Sequence, residues 1–306
     1  MRALVAGPGA RGRLAEVPEP VPSTDQALVE VHHVAVNHSE LRHMGRFPAG
    51  TVLGYDAAGI VIRPAEDGTG PGAGARVAAF GAGAWAERAA FGTDSLAVVP
   101  EGVSLGAAAA LPMAGITALR ALRAAGVGPG SRVLVTGASG AVGRLAVRLA
   151  ALAGAYVIAS TRRPVPAWEG LAEPVTGLDG IDPVDAVIEL VGGPTLVTAW
   201  GLLKPGGNLQ SIGWAAGQAA VFPPDSTFSL GAARSLHSFG DVAAPAADLA
   251  HLLGLMATGE LSVEVGWHGS WERLEEARAA QLDPATAGKV TLAVGHHRAD
   301  EIETLV

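Results

Sequence analysis

The strongest functional signal in this sequence is a set of glycines that could bind a phosphate group through the backbone. They lie in the stretch Gly137-Ala138-Ser139-Gly140-Ala141-Val142-Gly143. Two of them hold the second and third places of a G-x-G-x-x-G pattern, and an alanine holds the first. Where a helix begins, residues without a Cβ atom let backbone N–H groups approach a pyrophosphate, and the last glycine lets the helix pack closely on a strand. The alternative is a tight turn in another kind of α/β protein. The pattern predicts a dinucleotide site formed by Gly137, Ser139, Gly140, Ala141, Val142 and Gly143.

The elements that must position this turn lie directly on either side of it. Residues 132–136 have the pattern of a short buried strand, residues 141–152 have the apolar spacing of a helix, and residues 155–160 return as a second strand. Further along the chain, strand-like runs continue to alternate with helical patterns. This alternation predicts a parallel sheet, so we expect an α/β domain with a doubly wound parallel sheet.

The end of the second strand bears on the choice of dinucleotide. NAD-specific domains place an Asp or Glu about twenty residues beyond the glycine turn, where it holds the ribose 2′-hydroxyl. This chain has the run Ser-Thr-Arg-Arg at 160–163 instead, and guanidinium groups pair well with a 2′-phosphate. The alternative is a pair of solvated loop arginines. The run predicts NADPH over NADH, with contacts from Ser160 and from one or both of Arg162 and Arg163.

Composition limits the classes of function. The chain has 306 residues, of which 49% are apolar and 16% charged, as in a globular protein of about two domains. A net charge of −8 without a basic stripe argues against a nucleic-acid partner. The absence of cysteine excludes disulfides, a thiolate nucleophile and a cysteine-ligated metal. No stretch has the pattern of a secretory leader or a membrane span, so we expect a cytoplasmic protein with no membrane partner.

The first third of the chain has a different pattern. Short strand-like runs are separated by glycine and proline turns, and they lie at 1–5, 27–36, 52–62, 76–80 and 96–99. Strands in this arrangement predict a partly open barrel. Two helical patterns follow, at 105–111 and 116–125, with Pro112 as an interruption between them. A domain boundary is expected before the glycine turn.

Several segments occur in an order that identifies a family. They are LVEVHHVAVNHSELRHMGRFP, VLGYDAAGIVI, GARVAAFGAGAWAERAAF, ALPMAGITALRAL, the glycine turn, LLKPGGNLQSIG and AGKVTLAV. Together they closely resemble the medium-chain dehydrogenase/reductase superfamily, specifically its zinc-free quinone oxidoreductase branch. The resemblance implies a GroES-like, partly open β-barrel domain of residues 1–113, a Rossmann domain of residues 114–259, and a return to the first domain over 260–306. It also implies a substrate cleft between the domains.

The departures from the family concern metal. Zinc alcohol dehydrogenases of this superfamily carry a cysteine where the chain has Asn37, and a His-Glu pair where it has Tyr55 and Asp56. Their four-cysteine structural-zinc lobe has no counterpart here. His38 and His43 are five residues apart, which does not align them on a helix face, and no third ligand is evident. We therefore expect no metal site.

The remaining candidates favour reduction of a conjugated double bond. Without a Lewis acid, hydride addition to an activated C=C is favoured over interconversion of a carbonyl and an alcohol. The resemblance places the amide of Asn37 where it can bond the nicotinamide or a substrate carbonyl, Glu40 where relatives often have Asp, and Thr117 beside the nicotinamide. As alternatives, Asn37 and Glu40 stabilise a turn, and Thr117 bonds a helix carbonyl.

No side chain is an evident proton donor. Enoyl-thioester reductases of the superfamily often carry a tyrosine near the position of Phe47, and phenylalanine cannot donate a proton. Tyr55 either reaches the cleft, as a fourth catalytic candidate, or packs in the barrel, and solvent is the default source. The predicted activity is NADPH-dependent, zinc-independent reduction of an apolar quinone or α,β-unsaturated ketone. Two other classes stay open: a non-redox biosynthetic enzyme such as a cyclase or isomerase, and a cofactor-binding protein without turnover.

The resemblance also bears on the rest of the cofactor site and on assembly. It assigns Thr117, Val191, Gly213 and Lys289 to the cofactor. In the superfamily the edge strand of each Rossmann sheet commonly pairs with its two-fold mate, and residues 234–241 form a late strand with no obvious partner. An unpaired edge exposes backbone donors and acceptors, so we expect a homodimer.

Overall fold

The computed structural model describes residues 1–9, 11–162, 168–228, 230–283 and 285–295, and the chain divides into two compact units. The first unit comprises Met1–Ile116 and Val242–Val306, and the second comprises Thr117–Asp241. The return to the first unit thus comes at Val242 and not at residue 260. The reason is that the helix Ala246–Ala257 contacts the strand Leu96–Val98 of the first unit.

The strands and helices are labelled in chain order. The chain up to the glycine turn forms β1 (Arg2–Gly7), β2 (Arg11–Glu16), β3 (Gln26–Val36), α1 (His38–His43), β4 (Asp56–Arg63), β5 (Arg76–Phe80), β6 (Arg88–Gly92), β7 (Leu96–Val98), α2 (Leu105–Ala109), α3 (Pro112–Ala124) and β8 (Arg132–Val135). It continues with α4 (Ala141–Leu152), β9 (Tyr156–Ser160), β10 (Glu173–Val175), β11 (Val184–Glu189), α5 (Gly193–Gly201), β12 (Leu203–Ser211), β13 (Ser235–Ser238), α6 (Ala246–Ala257), β14 (Val265–Ser270), α7 (Leu274–Leu282) and β15 (Lys289–Ala293). Single 3₁₀ turns lie at Met44–Arg46, Thr93–Ser95 and Trp271–Arg273.

The body of the first unit is a seven-stranded sheet. Its order is β14-β15-β3-β4-β5-β7, and β6 also pairs with β3. The long strand β3 alternates buried and partly exposed residues over its first half. That half pairs with β6, and the second half pairs with β15, so one edge of β3 has two neighbours in succession. The hairpin of β1 and β2 joins the unit through bridges from Ala3 to Ala86 and from Val5 to Val52.

The second unit is a six-stranded parallel sheet in the order β10-β9-β8-β11-β12-β13. Because the chain builds outward in one direction from β8 and in the other from β11, the order reverses between these two strands. Such a switch point is where open α/β sheets bind ligands, at the carboxyl ends of the strands. The predicted α/β class with a doubly wound parallel sheet is confirmed.

Trp85 anchors the core of the first unit close to the start of β4. It is fully buried, and its Nε1 donates to the carbonyl oxygen of Ala35 at 3.2 Å. Gly54 has a φ of +91°, and a Cβ atom there would come within 2.0 Å of the Trp85 ring. A glycine is therefore required before Tyr55 and Asp56, and it fixes how the chain enters β4. Among the described residues, no helix has the length and apolar character needed to cross a membrane.

Candidate functional site

A buried polar cluster lies where β15, β3 and β4 run side by side. In the β3–β15 pair Val36 lies opposite Val290, so the next residue of the chain, Asn37, comes opposite Lys289. Asp56 is the first residue of β4 and pairs near the same end of β3. The register thus brings Asn37 and Lys289 together, although they are 252 residues apart in the sequence.

Hydrogen bonds connect the three side chains. The Nζ of Lys289 donates to Asn37 Oδ1 at 2.6 Å and to Asp56 Oδ2 at 3.0 Å, and Asn37 Nδ2 donates to the same Asp56 oxygen at 2.9 Å. The other oxygen of Asp56 accepts from the backbone N–H of Met113 at 2.9 Å. Asp56 is fully buried, Lys289 is 1% exposed and Asn37 is 8% exposed. The ion pair is therefore shielded from solvent and held in one geometry.

Glu40 is the second buried carboxylate of the cluster. It lies in the first turn of α1, where its Oε2 accepts from the backbone N–H of Asn37 at 2.6 Å and its Oε1 from that of Tyr55 at 2.9 Å. Burial, together with the nearby Asp56 carboxylate, raises the pKa of Glu40 to about 8. Glu40 therefore connects the start of α1 to the chain that enters β4.

Tyr55 and Thr117 are the other two predicted catalytic residues, and Phe47 is the residue at the expected proton-donor position. The ring of Tyr55 is half-buried and stacks on Phe80, with 5.9 Å between centroids, so the contact of Tyr55 with the cluster is made by its backbone N–H. Phe47 packs against the core of the first unit. Thr117 is buried in α3. Of the four predicted catalytic residues, the structure thus joins Asn37 and Glu40 directly.

The predicted glycine turn lies between β8 and α4. Gly137 has a φ of +58°, in the left-handed region. At Gly143 a Cβ atom would come within 2.6 Å of both the Ala138 Cα and the Gly137 carbonyl oxygen. Gly140 is the N-cap residue of α4, and the carbonyl of Ser139 accepts from Arg144 Nε at 2.9 Å. The close approach of α4 to β8 therefore requires glycine at Gly143, and the backbone conformation at Gly137 favours glycine there.

Sequence reasoning missed the carboxylate that organises the switch point, Glu189 at the end of β11. It accepts from Thr136 Oγ1 at 2.9 Å, from the backbone N–H of Val191 at 3.0 Å and from that of Gly192 at 2.9 Å. Its carbonyl oxygen accepts from the Gly213 N–H at 3.2 Å. Burial raises the pKa of Glu189. The available signal was a lone carboxylate inside the apolar run VIELV.

Glu189 brings three of the predicted cofactor residues together. Val191 and Gly213 bond to it directly, and a Cβ atom on Gly137 would lie 3.1 Å from Val191 Cγ2. These backbone segments border the switch point between β8 and β11. Lys289, also predicted for the cofactor, belongs to the first unit and bonds Asn37 and Asp56.

The end of β9 presents the residues predicted to choose the dinucleotide. Ser160 and Thr161 are buried, and the hydroxyl of Ser160 donates to the Gly177 carbonyl at 3.2 Å. Arg162 follows and is exposed. Arg163 lies outside the described residues. This strand end therefore offers an accessible guanidinium, while the Ser160 hydroxyl is already bonded within the sheet.

Family models match both units of the chain. One described as alcohol dehydrogenase GroES-like domain matches residues 23–112, and one described as zinc-binding dehydrogenase matches residues 165–292. The first match falls within the first unit, and the second spans the parallel sheet from the end of β9 onward and continues into β15.

Individual proteins match over very different shares of their length. The chain is 40% identical over 167 residues to erythronolide synthase EryA2 of Saccharopolyspora erythraea, which is 51% of this chain but only 5% of that synthase. It is 27% identical to the acryloyl-coenzyme A reductase of Sulfurisphaera tokodaii, over 95% of this chain and 99% of that protein. The solved quinone oxidoreductase from Coxiella burnetii superposes with a TM-score of 0.79 and 26% identity, over 96% of this chain and 99% of that one. The chain therefore spans a small part of the synthase and nearly all of the other two.

The name of the second family model raises the question of zinc, and the donor set does not fit that ion. Both oxygens of Asp56 are already hydrogen-bonded, and the ammonium of Lys289 is a cation seated between Asn37 and Asp56. A Zn²⁺ beside it would be repelled, and the neutral Asn37 is a poor ligand for it. Within the ranges that the structure describes, no group of three or more His, Cys, Asp or Glu side chains can hold a metal ion.

Proposed function

The chain belongs to the medium-chain dehydrogenase/reductase superfamily and is quinone oxidoreductase-like, and on this premise we propose that it uses NADPH to reduce a conjugated C=C bond in a quinone or an α,β-unsaturated ketone, without zinc. Members of the superfamily are oxidoreductases that bind a nicotinamide cofactor. The expected pairing of a GroES-like domain with a Rossmann domain is confirmed. What the proposal adds is the choice of NADPH, the class of substrate and the independence from metal.

The glycine turn at the switch point of the parallel sheet is the observation that carries the proposal. Gly137 and Gly143 let the start of α4 approach the end of β8 closely, since a Cβ atom on either would press against neighbouring atoms of the protein. The first N–H groups of a helix in this position suit a pyrophosphate. Glu189 holds Val191 and Gly213 at the same edge of the sheet. We assign the pyrophosphate to the start of α4 and the nicotinamide to the backbone of Val191 and Gly213, with Thr117 beside it.

NADPH is favoured over NADH by the chemistry at the end of β9. No carboxylate stands at 160–163 to accept the ribose 2′-hydroxyl of NADH. Arg162 is exposed and can pair with a 2′-phosphate, in a charge-assisted hydrogen bond worth roughly 1.5–3 kcal/mol.

Asn37 is the residue that would hold the substrate carbonyl. When bound, a reduced nicotinamide would supply a hydride to the β-carbon of the C=C bond, and the resulting negative charge would be shared between the α-carbon and the carbonyl oxygen. The amide N–H of Asn37 would stabilise the charge on that oxygen, a contribution of about 2.7–4 kcal/mol for one well-placed donor. Glu40 fixes the backbone of Asn37 at the start of α1. Phe47 cannot donate a proton, so the α-carbon takes its proton from solvent.

The names of two relatives support this class of reaction. An acryloyl-coenzyme A reductase and a quinone oxidoreductase both match nearly the full length of this chain. Each name denotes a C=C bond conjugated to a carbonyl group. An amide N–H polarises a substrate carbonyl less strongly than Zn²⁺ does. It therefore suits a substrate whose C=C bond is already activated by conjugation to the substrate's carbonyl group.

A substrate panel tests the proposal. NADPH absorbance should fall with quinones and with α,β-unsaturated ketones, stay constant with the matching saturated ketones, and respond in the same way after treatment with a chelator. Conversion of a substrate without oxidation of NADPH would favour the non-redox alternative. Tight NADPH binding without any turnover across the panel would instead favour a cofactor-binding protein.

A further inference from the structure

We infer that Lys289 is a positioning residue that fixes the amide of Asn37 in one orientation, so that Asn37 presents a hydrogen-bond donor to the substrate. The inference rests on the proposed function. The contact between Lys289 Nζ and Asn37 Oδ1, at 2.6 Å, is the shortest of the three side-chain contacts that join Asn37, Asp56 and Lys289. It gives Lys289 a role other than the cofactor contact expected from the sequence.

The chemistry of the partners sets the orientation of the amide. An ammonium group only donates and an ionised carboxylate only accepts, so each can meet only one end of an amide. Lys289 therefore holds the oxygen of Asn37, and Asp56 Oδ2 holds its nitrogen at 2.9 Å. A flipped amide would place N–H against ammonium and oxygen against carboxylate, which loses both bonds.

The orientation decides what Asn37 has left to offer. Its oxygen faces Lys289, and one of the two hydrogens on Nδ2 is given to Asp56. The second hydrogen on Nδ2 has only a weak interaction with the Glu40 carboxylate, the smallest of the effects on the pKa of Glu40, and Asn37 is 8% exposed, whereas Asp56 is fully buried. This second N–H of Asn37 can donate to a substrate carbonyl oxygen that gains negative charge, but it cannot accept from a substrate N–H or O–H.

The choice of lysine at this position has a physical reason. The chain has only two lysines, Lys204 and Lys289, and otherwise uses arginine for its basic residues. Lys204 pairs with Asp185 at 2.8 Å, and both of those side chains are partly exposed. Lys289 and its partner Asp56 are buried. A compact ammonium can reach Asn37 Oδ1 and Asp56 Oδ2 at the same time, and a planar guanidinium needs more space.

The first test compares Lys289→Met with Lys204→Met. Each change removes one of the two lysine–aspartate pairs of the chain. We expect Lys289→Met to lower kcat roughly tenfold or more while the Kd for NADPH stays within about twofold, because an interaction with the reacting oxygen is lost and cofactor contacts are not. Lys204→Met should leave both values unchanged. A Lys289→Met enzyme with unchanged kcat, or with its main loss in NADPH affinity, would overturn the inference.

A second variant guards against a folding defect, because Lys289→Met leaves Asp56 buried without its cation. The double variant Lys289→Met/Asp56→Asn removes both charges together and is expected to recover most of the lost thermal stability. Its kcat should stay low, since neither partner can still orient the Asn37 amide. Recovery of kcat along with stability would show that Lys289 only balances charge.

A spectroscopic readout separates the inference from the proposed function. Asn37 and Asn208 are the only asparagines of the chain, so asparagine-selective ¹⁵N labelling gives two pairs of side-chain amide signals, which Asn208→Ala assigns. Lys289→Met should shift the Asn37 amide and speed its exchange with solvent, and Lys204→Met should not. An unmoved Asn37 amide would overturn the positioning role even in an active reductase. If the wild-type protein reduced no enone, the proposed function would fail and these spectra would still decide the orientation of Asn37.

Discussion

Two buried carboxylates, Glu40 and Asp56, lie close to a single buried ammonium, that of Lys289. Asp56 takes the ammonium directly at 3.0 Å, whereas Glu40 accepts from the backbone N–H groups of Asn37 and Tyr55. The ammonium of Lys289 thus compensates the charge of Asp56. Burial and repulsion by Asp56 oppose the ionisation of Glu40 and raise its pKa. The cluster is therefore sensitive to pH at one residue, next to the backbone of Asn37.

This imbalance predicts a pH dependence of stability. The folded-state pKa of Glu40, about 8, lies above its ordinary value of 4.5, so between these values the folded state binds the extra proton and the unfolded state does not. The free energy of unfolding should then fall as pH rises through this window, by at most about 1.4 kcal/mol per pH unit. Urea unfolding at several pH values should show a flatter dependence for Glu40→Gln. Glu101→Gln, at an exposed turn, should follow wild type. Equal slopes in all three proteins would contradict the assignment.

The predicted preference for NADPH over NADH depends on Arg162. Arg162→Ala should raise the Kd for NADPH about tenfold and leave the Kd for NADH nearly unchanged, because only NADPH has the 2′-phosphate. Arg11→Ala, an exposed arginine of β2 in the first unit, is the control and should change neither value. Titration with both cofactors measures the effect. A double variant Arg162→Ala/Arg163→Ala that still prefers NADPH would rule out this origin of the preference.

At the scale of elements, α4 can lie against β8 only because the turn between them has no side chain in the way. A Cβ atom at Gly143 would meet backbone atoms of Gly137 and Ala138 at 2.6 Å, and backbone cannot move aside as a flexible side chain can. The start of α4 and the carboxyl end of β8 therefore depend on one residue for their approach. The proposed pyrophosphate site depends on the same approach.

Gly143→Ala should for this reason lower stability by about 1–3 kcal/mol and weaken NADPH binding. The same substitution at Gly254, inside α6, meets no atom within 4 Å. There alanine should raise stability by about 0.5–1 kcal/mol, because it restricts the unfolded chain and favours the helix. Denaturant unfolding and NADPH titration of the two variants measure the contrast. A stable Gly143→Ala protein with normal NADPH affinity would show that the turn relaxes at little cost.

The elements also show which parts of the fold and site were predictable from sequence. The glycine turn, α4 and the parallel sheet follow from local patterns of glycine spacing and apolar periodicity. The strands β2, β10 and β14 were missed because almost none of their residues are buried. Pro112 was expected to interrupt a helix but begins α3, since the first turn needs no N–H donor there.

The polar contacts of the site were not predictable in the same way. Lys289 reaches Asn37 through the register of β15 on β3, and Glu189 reaches Thr136 through the pairing of β11 with β8. Such contacts depend on long-range strand pairing, which one sequence does not reveal. Asn37 and Glu40 were found because they lie three residues apart in a segment that matches a family pattern. Lys289 and Tyr55 were also predicted as site residues, but their bonds to Asn37 and Glu40 were not predicted.

At the scale of the whole molecule, the outermost strand of the parallel sheet can serve as a contact with a second copy of the chain. Among the described residues, β13 pairs with β12 alone, and Leu236 on β13 is 42% exposed. An outer strand leaves backbone donors and acceptors open on one side, and a two-fold related copy can satisfy them. We propose a homodimer through this edge.

Light scattering should then give twice the mass of the 30.7 kDa chain at micromolar concentration. Leu236→Lys should shift the protein toward monomer, because a lysine on an edge strand opposes edge-to-edge pairing. Leu152→Lys places the same charge at a residue of α4 with similar exposure, 46%, and should leave the mass unchanged. A monomeric wild-type protein, or a dimer that Leu236→Lys does not weaken, would count against pairing through β13.

Transfer of label from stereospecifically deuterated NADPH tests the central claim most directly. Each C4 deuterated form of NADPH is incubated with an α,β-unsaturated ketone that passes the substrate panel, and the product is analysed by mass spectrometry and NMR. The account predicts that one form delivers deuterium to the β-carbon of the product, that the other delivers none, and that the α-carbon takes its hydrogen from solvent. A reduced product without deuterium at the β-carbon from either form would contradict hydride transfer by this protein.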